Sequence, residues 1–406
     1  MTARPSLPTG QFHLPRDPAG RPKAYLAGHS LGLQPVTTAE DMRAELDRWA
    51  REGVAGHFST PDPWYAFHET VQEPLARLVG AQPHEAIMMN SLTANLHLLF
   101  ASFYRPRGQR RRILFEAHAF PSDRFALETQ VRWHGGDPAV DLVPVRPRQG
   151  ESHFRHEDLI ATIAREGEQL AMVWLPGVDW LTGEALDLAG LTRAAHEAGA
   201  IAGFDLAHAA GNMPLKLHDS NIDFAVWCSY KYLNSGPGSV GGAFVHERHH
   251  DRRDLPRLGG WWGHDPATRF AEEPPFQPQT GVEGWQLSNA PVLSMVAVRA
   301  SLRIFDRVGI DHLHDRAIAL TDHLRRGLAN LERPWIRVLT PESAARRGAM
   351  TCIALGERAT PVHAALEAAG IVCDLRAPDV LRLAAAPLYN DEADLDRWLT
   401  VLEQQA

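Results

Sequence analysis

Several short apolar runs in this sequence are followed at once by side chains that could do chemistry. After these runs stand hydroxyl groups, carboxylates, an aromatic ring, an imidazole and an amine, and some of the positions also open a predicted helix. In chain order they are Ser91, Thr93, Phe120, Ser122, Asp123, Asp205, His208, Tyr230 and Lys231. Because ligands of an open parallel sheet bind beyond the carboxyl ends of its strands, we expect these side chains to share one site.

Taken together, these groups fit one ligand. A helix N-terminus binds phosphate through its free backbone N–H groups and its dipole. A carboxylate such as Asp205 keeps a pyridine nitrogen protonated, and a lysine forms a Schiff base with an aldehyde. Phosphate, flat ring, ring nitrogen and aldehyde are the features of pyridoxal phosphate, which we predict as the cofactor.

Each of these residues has a simpler explanation when it is taken alone. Ser91, Thr93 and Ser122 can cap helices, because serine and threonine are favoured at the N-cap. Phe120 can belong to the core, and an aspartate at a strand end, such as Asp205, can form a turn. The prediction of the cofactor therefore depends on the combination.

The lysine that binds the aldehyde can be chosen from the sequence. The first 250 residues contain Lys23, Lys216 and Lys231, and only Lys231 follows a buried apolar run and precedes a glycine-rich bend, LNSGPGSVGG. Glycine lets the backbone turn tightly or approach closely, although this bend lacks the GxGxxG spacing of a dinucleotide site. We predict Lys231; a surface lysine near a turn is the alternative.

Alternating strands and helices must position these residues. The first part of the chain predicts strands at 112–116, 170–175, 200–205 and 224–229, and helices at 38–49, 64–79, 121–133, 157–166 and 188–198. This spacing implies right-handed crossovers and a mostly parallel sheet with helices on both faces.

The pattern changes after the stretch EEPPFQPQ (272–279), whose prolines suit neither helix nor strand. The remainder predicts helices at 290–308, 310–331, 361–369 and 392–405, and strands at 336–339, 351–355, 371–375 and 381–383. We predict an α/β fold with a large domain and a smaller C-terminal α+β domain. The predicted division is 1–55 for an N-terminal segment packing on the small domain, 56–295 for the large domain and 296–406 for the small domain.

The composition excludes several classes of protein. The chain has 406 residues, which suggests two or three domains at about 150 residues each, and its net charge of -8 argues against a nucleic-acid binder. Three scattered cysteines do not make a disulfide framework or a zinc site, so we expect no metal and a reducing, cytoplasmic setting. The most apolar stretch, 86–104, is interrupted by polar residues, and we expect no membrane span. The 21 histidines contain no HExxH motif, and His249 and His250 are expected at the surface.

The lysine region resembles that of the kynureninase family. The segment FDLAHAAGNMPLKLHDSNIDFAVWCSYKYLNSGPGSVGGAFVHE (204–247) carries the likeness, and shorter motifs occur in the same order along nearly the whole chain. These motifs are YLAGHSLGLQP (25–35), NSLTANLHLLF (90–100), AFPSD (119–123), GWWGH (260–264), LSNAP (287–291) and LRLAAAPLYN (381–390). The family belongs to the aminotransferase class-V branch of fold-type-I pyridoxal-phosphate enzymes.

The resemblance implies hydrolysis of kynurenine or 3-hydroxykynurenine to anthranilate or 3-hydroxyanthranilate plus alanine, in tryptophan catabolism or NAD synthesis. It also implies a role for each residue that contacts the cofactor. Leu92 and Thr93 hold the phosphate, Phe120 stacks on the ring with Ser122 and Asp123 nearby, Asp205 pairs with the ring nitrogen, His208 lies beside the cofactor, and Tyr230 and Lys231 are the catalytic pair.

The resemblance further implies a homodimer with shared sites. Trp261 and Asn289 would reach the cofactor phosphate of the other subunit, and Arg382 would bind the substrate α-carboxylate, a planar task that suits a guanidinium group. A structural ion pair of Arg382 with Asp374 or Asp379 is the alternative. The substrate site also includes Ser30, His57 and Ser288, of which His57 and Ser288 resemble enzymes that favour the 3-hydroxylated substrate.

The chain departs from the family at one motif, and two rival functions stay open. The usual GNSLG reads Gly28-His29-Ser30-Leu31-Gly32 here, which puts the substrate preference in doubt. A cysteine desulfurase needs a mobile nucleophilic cysteine, whereas no cysteine here stands in a glycine-rich loop. A regulator that binds the cofactor without turnover usually carries a DNA-binding domain, and no basic helix-turn-helix segment precedes residue 60.

Overall fold

A seven-stranded sheet forms the centre of the computed structural model, which describes residues 10–405. The strands of the chain are β1 (Ala24–Tyr25), β2 (Ala86–Met88), β3 (Arg112–Glu116), β4 (Leu142–Val145), β5 (Leu170–Pro176), β6 (Ile201–Asp205), β7 (Phe224–Trp227), β8 (Gly242–Val245), β9 (Arg337–Val338), β10 (Met350–Ala354), β11 (Ile371–Val372), β12 (Asp374–Arg376) and β13 (Val380–Ala384). The central sheet has the order β2-β8-β7-β6-β5-β3-β4, in which β8 is antiparallel to both neighbours and the other pairs are parallel.

Helices cover both faces of this sheet, as its apolar strands require. The α-helices are α1 (Thr38–Glu52), α2 (Glu69–Val79), α3 (Leu92–Phe103), α4 (Pro121–Trp133), α5 (Pro138–Asp141), α6 (His156–Glu166), α7 (Leu188–Glu197), α8 (Val292–Val308), α9 (Ile310–Asn330), α10 (Ala359–Ala368) and α11 (Glu392–Glu403). Apolar residues of α2, α6, α7 and α8 form one core cluster with the sheet, and those of α3 and α4 form another. Within residues 10–405, no helix is both long enough and apolar enough to cross a membrane.

The structure confirms the predicted α/β class and most of the large-domain elements, with two corrections. The single helix predicted at 64–79 is wrong, because residues Trp64–Ala66 form a separate 3-10 turn and α2 begins at Glu69. The turn is fixed by the Trp64 indole, which donates a hydrogen bond of 2.9 Å to the Glu45 carboxylate. The strand predicted at 224–229 ends at Trp227, and Ser229 instead donates to the Val240 carbonyl.

The C-terminal part forms a second, antiparallel sheet in the order β12-β13-β10-β9. Apolar residues of α9, α10 and α11 pack with it in one cluster. The single strand predicted at 371–375 is wrong, since Ile371–Val372 pairs with β1 while Asp374–Arg376 pairs with β13. The break between the two strands places Asp374 opposite Arg382 on β13.

The N-terminal segment contacts both parts of the chain. Residues 1–9 lie outside the described residues, β1 pairs with β11 of the C-terminal part, and α1 packs against α8. The domain boundary predicted near residue 295 falls inside α8, a continuous helix that also packs against α2 and α9. The division into three units therefore stays a prediction.

His249 and His250 are not at the surface, contrary to the expectation from the charged sequence around them. Both are buried at the end of a 3-10 turn. The Nε2 atom of His249 lies 2.7 Å from the Asp223 carboxylate, and Nε2 of His250 lies 2.9 Å from the Val245 carbonyl oxygen. Both histidines can be buried because each has a polar partner inside the protein, although their neighbours in the sequence are charged.

Candidate active site

Nine of the predicted cofactor residues line one cavity at the carboxyl ends of the parallel strands. They are Leu92, Thr93, Phe120, Ser122, Asp123, Asp205, His208, Tyr230 and Lys231. They come from the segments after β2, β3, β6 and β7, which the sheet brings to a common edge. This is the ligand position that an open parallel sheet predicts.

Lys231 lies in this cavity beside an imidazole. Its Nζ atom is 3.0 Å from Nε2 of His208 and 5.9 Å from the centre of the Phe120 ring. Burial lowers the pKa of His208 well below its usual value, with the charge of Lys231 acting in the same direction, so the imidazole is neutral. Its Nδ1 atom is buried without a hydrogen-bond partner, which leaves polar capacity for a ligand.

The N-terminus of α3 opens onto the cavity without a side-chain cap. Ser91 is the N-cap residue, yet its side chain accepts no hydrogen bond from the first turn of the helix, so the simple capping explanation for this serine fails. Gly241 of the glycine-rich bend lies against this turn, and a Cβ there would come within 2.9 Å of the Leu92 nitrogen. The free N–H groups and the dipole of this twelve-residue helix make an anion-binding end.

Two carboxyl groups, Asp205 and Asp123, face each other in the buried floor of the cavity. Burial, and then the charge of Asp205, raise the pKa of Asp123 well above its usual value, so this side chain is protonated and donates to Asp205. The Asp205 carboxylate also accepts from the Ala207 N–H at 2.8 Å. Asp123 accepts from the Trp174 indole at 3.1 Å and receives a long contact of 3.5 Å from the Ser122 hydroxyl. The proton on Asp123 leaves the negative charge on Asp205.

Phe120 forms the aromatic wall of the cavity together with Trp180. Their rings meet edge to face at 5.5 Å, and the Trp180 indole donates a hydrogen bond of 2.8 Å to the His118 carbonyl. Phe120 is 40% exposed, so it is not the core residue that the alternative explanation required. Sequence reasoning missed Trp180, which stands in a turn after β5 and carries no motif of its own.

Arg382 of β13 lies beside this wall and is paired with Asp374. Its guanidinium donates a hydrogen bond of 2.7 Å to the Trp180 carbonyl and a shorter one to Asp374, so the structural ion pair considered for this arginine exists. The same carboxylate accepts from the Ser30 hydroxyl at 3.1 Å and from Arg376 at 2.9 Å. The Arg382 side chain is buried and its Nε–H has no partner, so the ion pair leaves donors unused.

The structure keeps four predicted site residues away from Lys231. His57 and Asn289 line a cavity of about 440 Å³ with Trp64, and Ser288 lines another with Asn289. Trp261 is 53% exposed, and its indole donates to the Arg269 carbonyl. None of the four borders the cavity of Lys231 within the described chain.

Away from the cavity of Lys231, one group of side chains among residues 10–405 is of the type that can ligate a metal ion. Ligand atoms of Glu85, His218 and His246 lie within 4.8 Å of one another. The Glu85 carboxylate already accepts from the Gln82 and Glu247 N–H groups at 2.9 and 2.8 Å and contacts His218 at 3.0 Å. These bonds join the start of β2 to the end of β8, at the sheet edge opposite the cavity, as a structural network.

The three cysteines are free and buried. Cys228 follows β7, Cys352 lies in β10 and Cys373 lies between β11 and β12. Burial raises the pKa of each thiol. A buried, protonated thiol on or beside a strand is not the mobile nucleophile that a cysteine desulfurase requires.

The large and small sheets carry, in one cavity, a lysine after β7, a carboxylate at the end of β6 and an uncapped helix N-terminus. This arrangement defines a fold-type-I pyridoxal-phosphate enzyme. Solved structures share the fold: a C-DES variant with glycine covalently linked to its pyridoxal-phosphate cofactor has a TM-score of 0.79 at 18% identity, covering 94% of this chain and 96% of its own. The apo cysteine desulfurase from Thermococcus onnurineus has a TM-score of 0.77 at 17% identity, covering 94% of both chains.

Sequence comparison decides the family within that class. The chain is 50% identical over 395 residues to the kynureninase of Myxococcus xanthus, covering 97% of this chain and 93% of the relative. It is 48% identical over 390 residues to the kynureninase of Koribacter versatilis, covering 96% and 92%. A family profile, Kynureninase C-terminal domain, matches residues 313–402. The chain belongs to the kynureninase family.

Proposed function

We propose that the cavity around Lys231 hydrolyses L-kynurenine and 3-hydroxy-L-kynurenine to anthranilate or 3-hydroxyanthranilate and L-alanine. Water supplies the hydroxyl group of the new carboxylate, the Cβ–Cγ bond breaks, and a proton goes to the β-carbon. The observation that carries the proposal is the grouping of Lys231, the buried neutral His208 and Asp205 in one cavity of a chain that is 50% identical to a kynureninase.

The residues of the cavity fit pyridoxal phosphate. When bound, this cofactor supplies an aldehyde that attaches to Lys231 and a ring that stabilises negative charge on the substrate α-carbon. Leu92 and Thr93 would hold its phosphate at the uncapped start of α3. Asp205 would pair with its ring nitrogen, because the proton held by Asp123 keeps Asp205 anionic. Phe120 would stack on the ring, and Ser122 and His208 line the same cavity.

Lys231 and Tyr230 carry the proton transfers in this proposal. The Lys231 amine takes the substrate α-proton and becomes an ammonium group. The His208 imidazole, 3.0 Å away, is neutral and therefore adds no second positive charge beside it. Burial raises the pKa of Tyr230, so its phenol remains protonated and is a proton donor for the β-carbon.

Arg382 binds the substrate α-carboxylate in the same proposal. Its buried Nε–H has no partner, and a carboxylate oxygen would satisfy it. The charges support this role, since Arg376 and Arg382 share the single carboxylate of Asp374 and leave one positive charge over. A planar carboxylate suits the guanidinium edge.

The enzyme works as a homodimer with shared sites in this proposal. Phe58, Tyr65, Trp261 and Phe270 form an aromatic patch in which neighbouring rings lie 5.0 to 6.2 Å from each other or from Trp262. Phe58 and Phe270 are each 66% exposed in the single chain. Exposed aromatic clusters mark protein interfaces. A second copy on this patch would cover it and bring Trp261, Asn289, His57 and Ser288 to the site of its partner.

The proposed cellular setting is the cytoplasm, where tryptophan-derived kynurenines are degraded or used for NAD synthesis.

The test of the function is a spectrum followed by an assay. The purified protein should absorb in the visible from bound cofactor, and added kynurenine should yield anthranilate, detected by its fluorescence, and alanine in equal amounts. Release of sulfide from cysteine at a comparable rate, without anthranilate from kynurenine, would contradict the proposal in favour of a desulfurase.

A further inference from the structure

His29 is a fully buried histidine next to the proposed carboxylate site, and it has no role in the reaction described above. Its side chain has no exposed surface. Its Nε2 atom lies 3.5 Å from the Asp374 carboxylate, at the outer limit of a hydrogen bond, and neither ring nitrogen has a closer partner. An imidazole that is buried with so little compensation is costly, and it needs a reason.

The turn that carries His29 joins the two parts of the enzyme. The Gly32 N–H donates a hydrogen bond of 2.7 Å to the Tyr230 carbonyl, and Gly32 leaves no space for a side chain because a Cβ would overlap the Lys231 carbonyl oxygen. On the other side, Ser30 bonds to Asp374 of the small sheet. The turn therefore fixes His29 between the catalytic lysine and the ion pair of Arg382.

The charge of His29 affects the neighbouring charged group of Asp374, Arg376 and Arg382, the carboxylate cluster. Burial lowers the pKa of His29 to about 4, assisted by the charge of Arg382, so the ring is neutral at neutral pH. A neutral imidazole can donate one N–H to Asp374 without adding a charge. The carboxylate cluster, two arginines and one aspartate, then keeps a net charge of one positive unit, which one substrate carboxylate would neutralise.

We propose that His29 is a positioning residue for the substrate α-carboxylate: its imidazole N–H holds Asp374, and Asp374 in turn orients the Arg382 guanidinium. Arg382 has five N–H donors, of which the Trp180 carbonyl and Asp374 occupy two. As the substrate approaches, His29 keeps Asp374 at one side of the guanidinium, so that the edge with the free Nε–H faces the carboxylate. This inference rests on the proposed role of Arg382.

The test compares His29→Leu, which keeps the volume and loses the N–H, with His29→Asn, which keeps a donor. For His29→Leu we expect KM for kynurenine to rise about tenfold with kcat within about threefold, the effect of one lost hydrogen bond to a charged group. The dissociation constant of L-alanine, read from the cofactor spectrum, should rise by the same factor. His29→Asn should recover most of the loss, and His250→Leu is the matched control, a buried histidine remote from the cavity.

A double-mutant cycle with Asp374→Asn separates positioning from packing. If His29 acts through Asp374, adding His29→Leu to Asp374→Asn should not raise KM further. An unchanged KM and alanine affinity in His29→Leu, or additive effects in the cycle, would overturn the inference, as would equal losses in the Leu and Asn variants. Arg382→Lys tests the underlying role: an unchanged KM there defeats the α-carboxylate site itself, whereas a raised KM with a silent His29→Leu defeats only His29.

Discussion

The chemistry of single residues begins with Lys231, the proposed attachment point of the cofactor. Lys231→Ala should lose the visible absorbance after dialysis together with at least 99% of the activity, roughly the hundredfold or more that loss of a catalytic base and anchor costs. Lys216→Ala is the matched control, because Lys216 is exposed and lies outside the cavity of Lys231. Turnover retained in Lys231→Ala would place the attachment point on another residue.

The two buried aspartates give a second prediction at this scale, because they differ in charge. Asp205→Asn removes the carboxylate that is proposed to pair with the ring nitrogen, and kcat should fall at least about a hundredfold, more than about 2.7 kcal/mol. Asp123→Asn replaces a protonated carboxyl group that donates to Asp205 by an amide that also donates, so kcat should fall less than about fivefold. Stopped assays with saturating cofactor measure both. A larger loss in Asp123→Asn than in Asp205→Asn would mean that Asp123 is the ionised member.

At the residue scale, the sequence predicted the side chains that stand just after each strand but not those that distant segments bring to the site. The ends of parallel strands meet at one edge, so eight of the nine cavity residues, from four separate segments, could be placed together from local patterns alone. The ninth, Leu92, was named only through the family resemblance. Trp180 was missed because it stands in a turn after β5 without a motif of its own, and only the folded chain brings its ring against Phe120. The register of the small sheet places Arg382 opposite Asp374. Contacts from distant segments then bring the Trp180 carbonyl to Arg382 and the Ser30 hydroxyl to Asp374.

The bounds of helices and strands could be predicted where a local sequence pattern determines them. The predictions were wrong where contacts between distant residues end an element early or divide it. β3 and α4 match the predicted bounds because an apolar run and a proline at the first helical position mark them locally. The helix predicted at 64–79 breaks because the Trp64 indole bonds to Glu45 of α1, nineteen residues earlier. The strand predicted at 371–375 divides because β1 captures its first half.

The break before α2 has a consequence for stability. His68, the N-cap residue of α2, is buried, and its pKa is lowered to about 4 by burial and by the charge of Arg269. Between pH 6.5 and 4 the unfolded chain therefore binds a proton at this histidine that the folded chain does not. The free energy of unfolding should fall as the pH is lowered, by up to about 1.4 kcal/mol per pH unit for this one group.

Replacement of His68 by leucine isolates this contribution. The difference in free energy of unfolding between His68→Leu and the parent should grow in favour of the variant from about pH 6.5 to about pH 4, and it should be constant above about pH 7.5. Denaturant unfolding followed by tryptophan fluorescence at both ends of the range measures it. A difference that stays the same at every pH would show that His68 titrates alike in the folded and unfolded chains.

At the scale of the whole molecule, the single chain leaves its aromatic patch and part of its predicted site uncovered. His57, Ser288, Asn289 and Trp261 lie away from Lys231, and a single chain cannot bring them to it. Sequence patterns describe one chain, so they could name these residues only through the family resemblance. A charge placed in the patch tests whether a second copy covers it. Phe270→Asp should shift the sedimentation coefficient from dimer to monomer, since an interface core tolerates no unpaired charge.

The preference between the two substrates depends on the dimer, because His57 and Ser288 would reach the substrate from the second subunit. An imidazole and a hydroxyl group near the aniline ring would bond to a ring hydroxyl and would remain unpaired with kynurenine, at a cost of about 1–3 kcal/mol. The ratio of kcat/KM should therefore favour 3-hydroxykynurenine by about five- to a hundredfold. His57→Ala should reduce that ratio; a parent enzyme that prefers kynurenine, with a ratio unchanged in His57→Ala, would remove both residues from hydroxyl recognition.

Complementation between two inactive chains tests the shared site directly. A Lys231→Ala chain keeps Asn289. An Asn289→Asp chain keeps Lys231 but would place a carboxylate against the cofactor phosphate if Asn289 has its proposed role. In a mixed dimer one of the two sites receives the intact lysine from one chain and the intact asparagine from the other. Random exchange makes half of the dimers mixed, so about a quarter of the parental activity per site should return, because an isologous dimer presents the same residues twice. If Asn289 served the site of its own chain, every site in the mixture would carry a defect, and mixing would restore nothing.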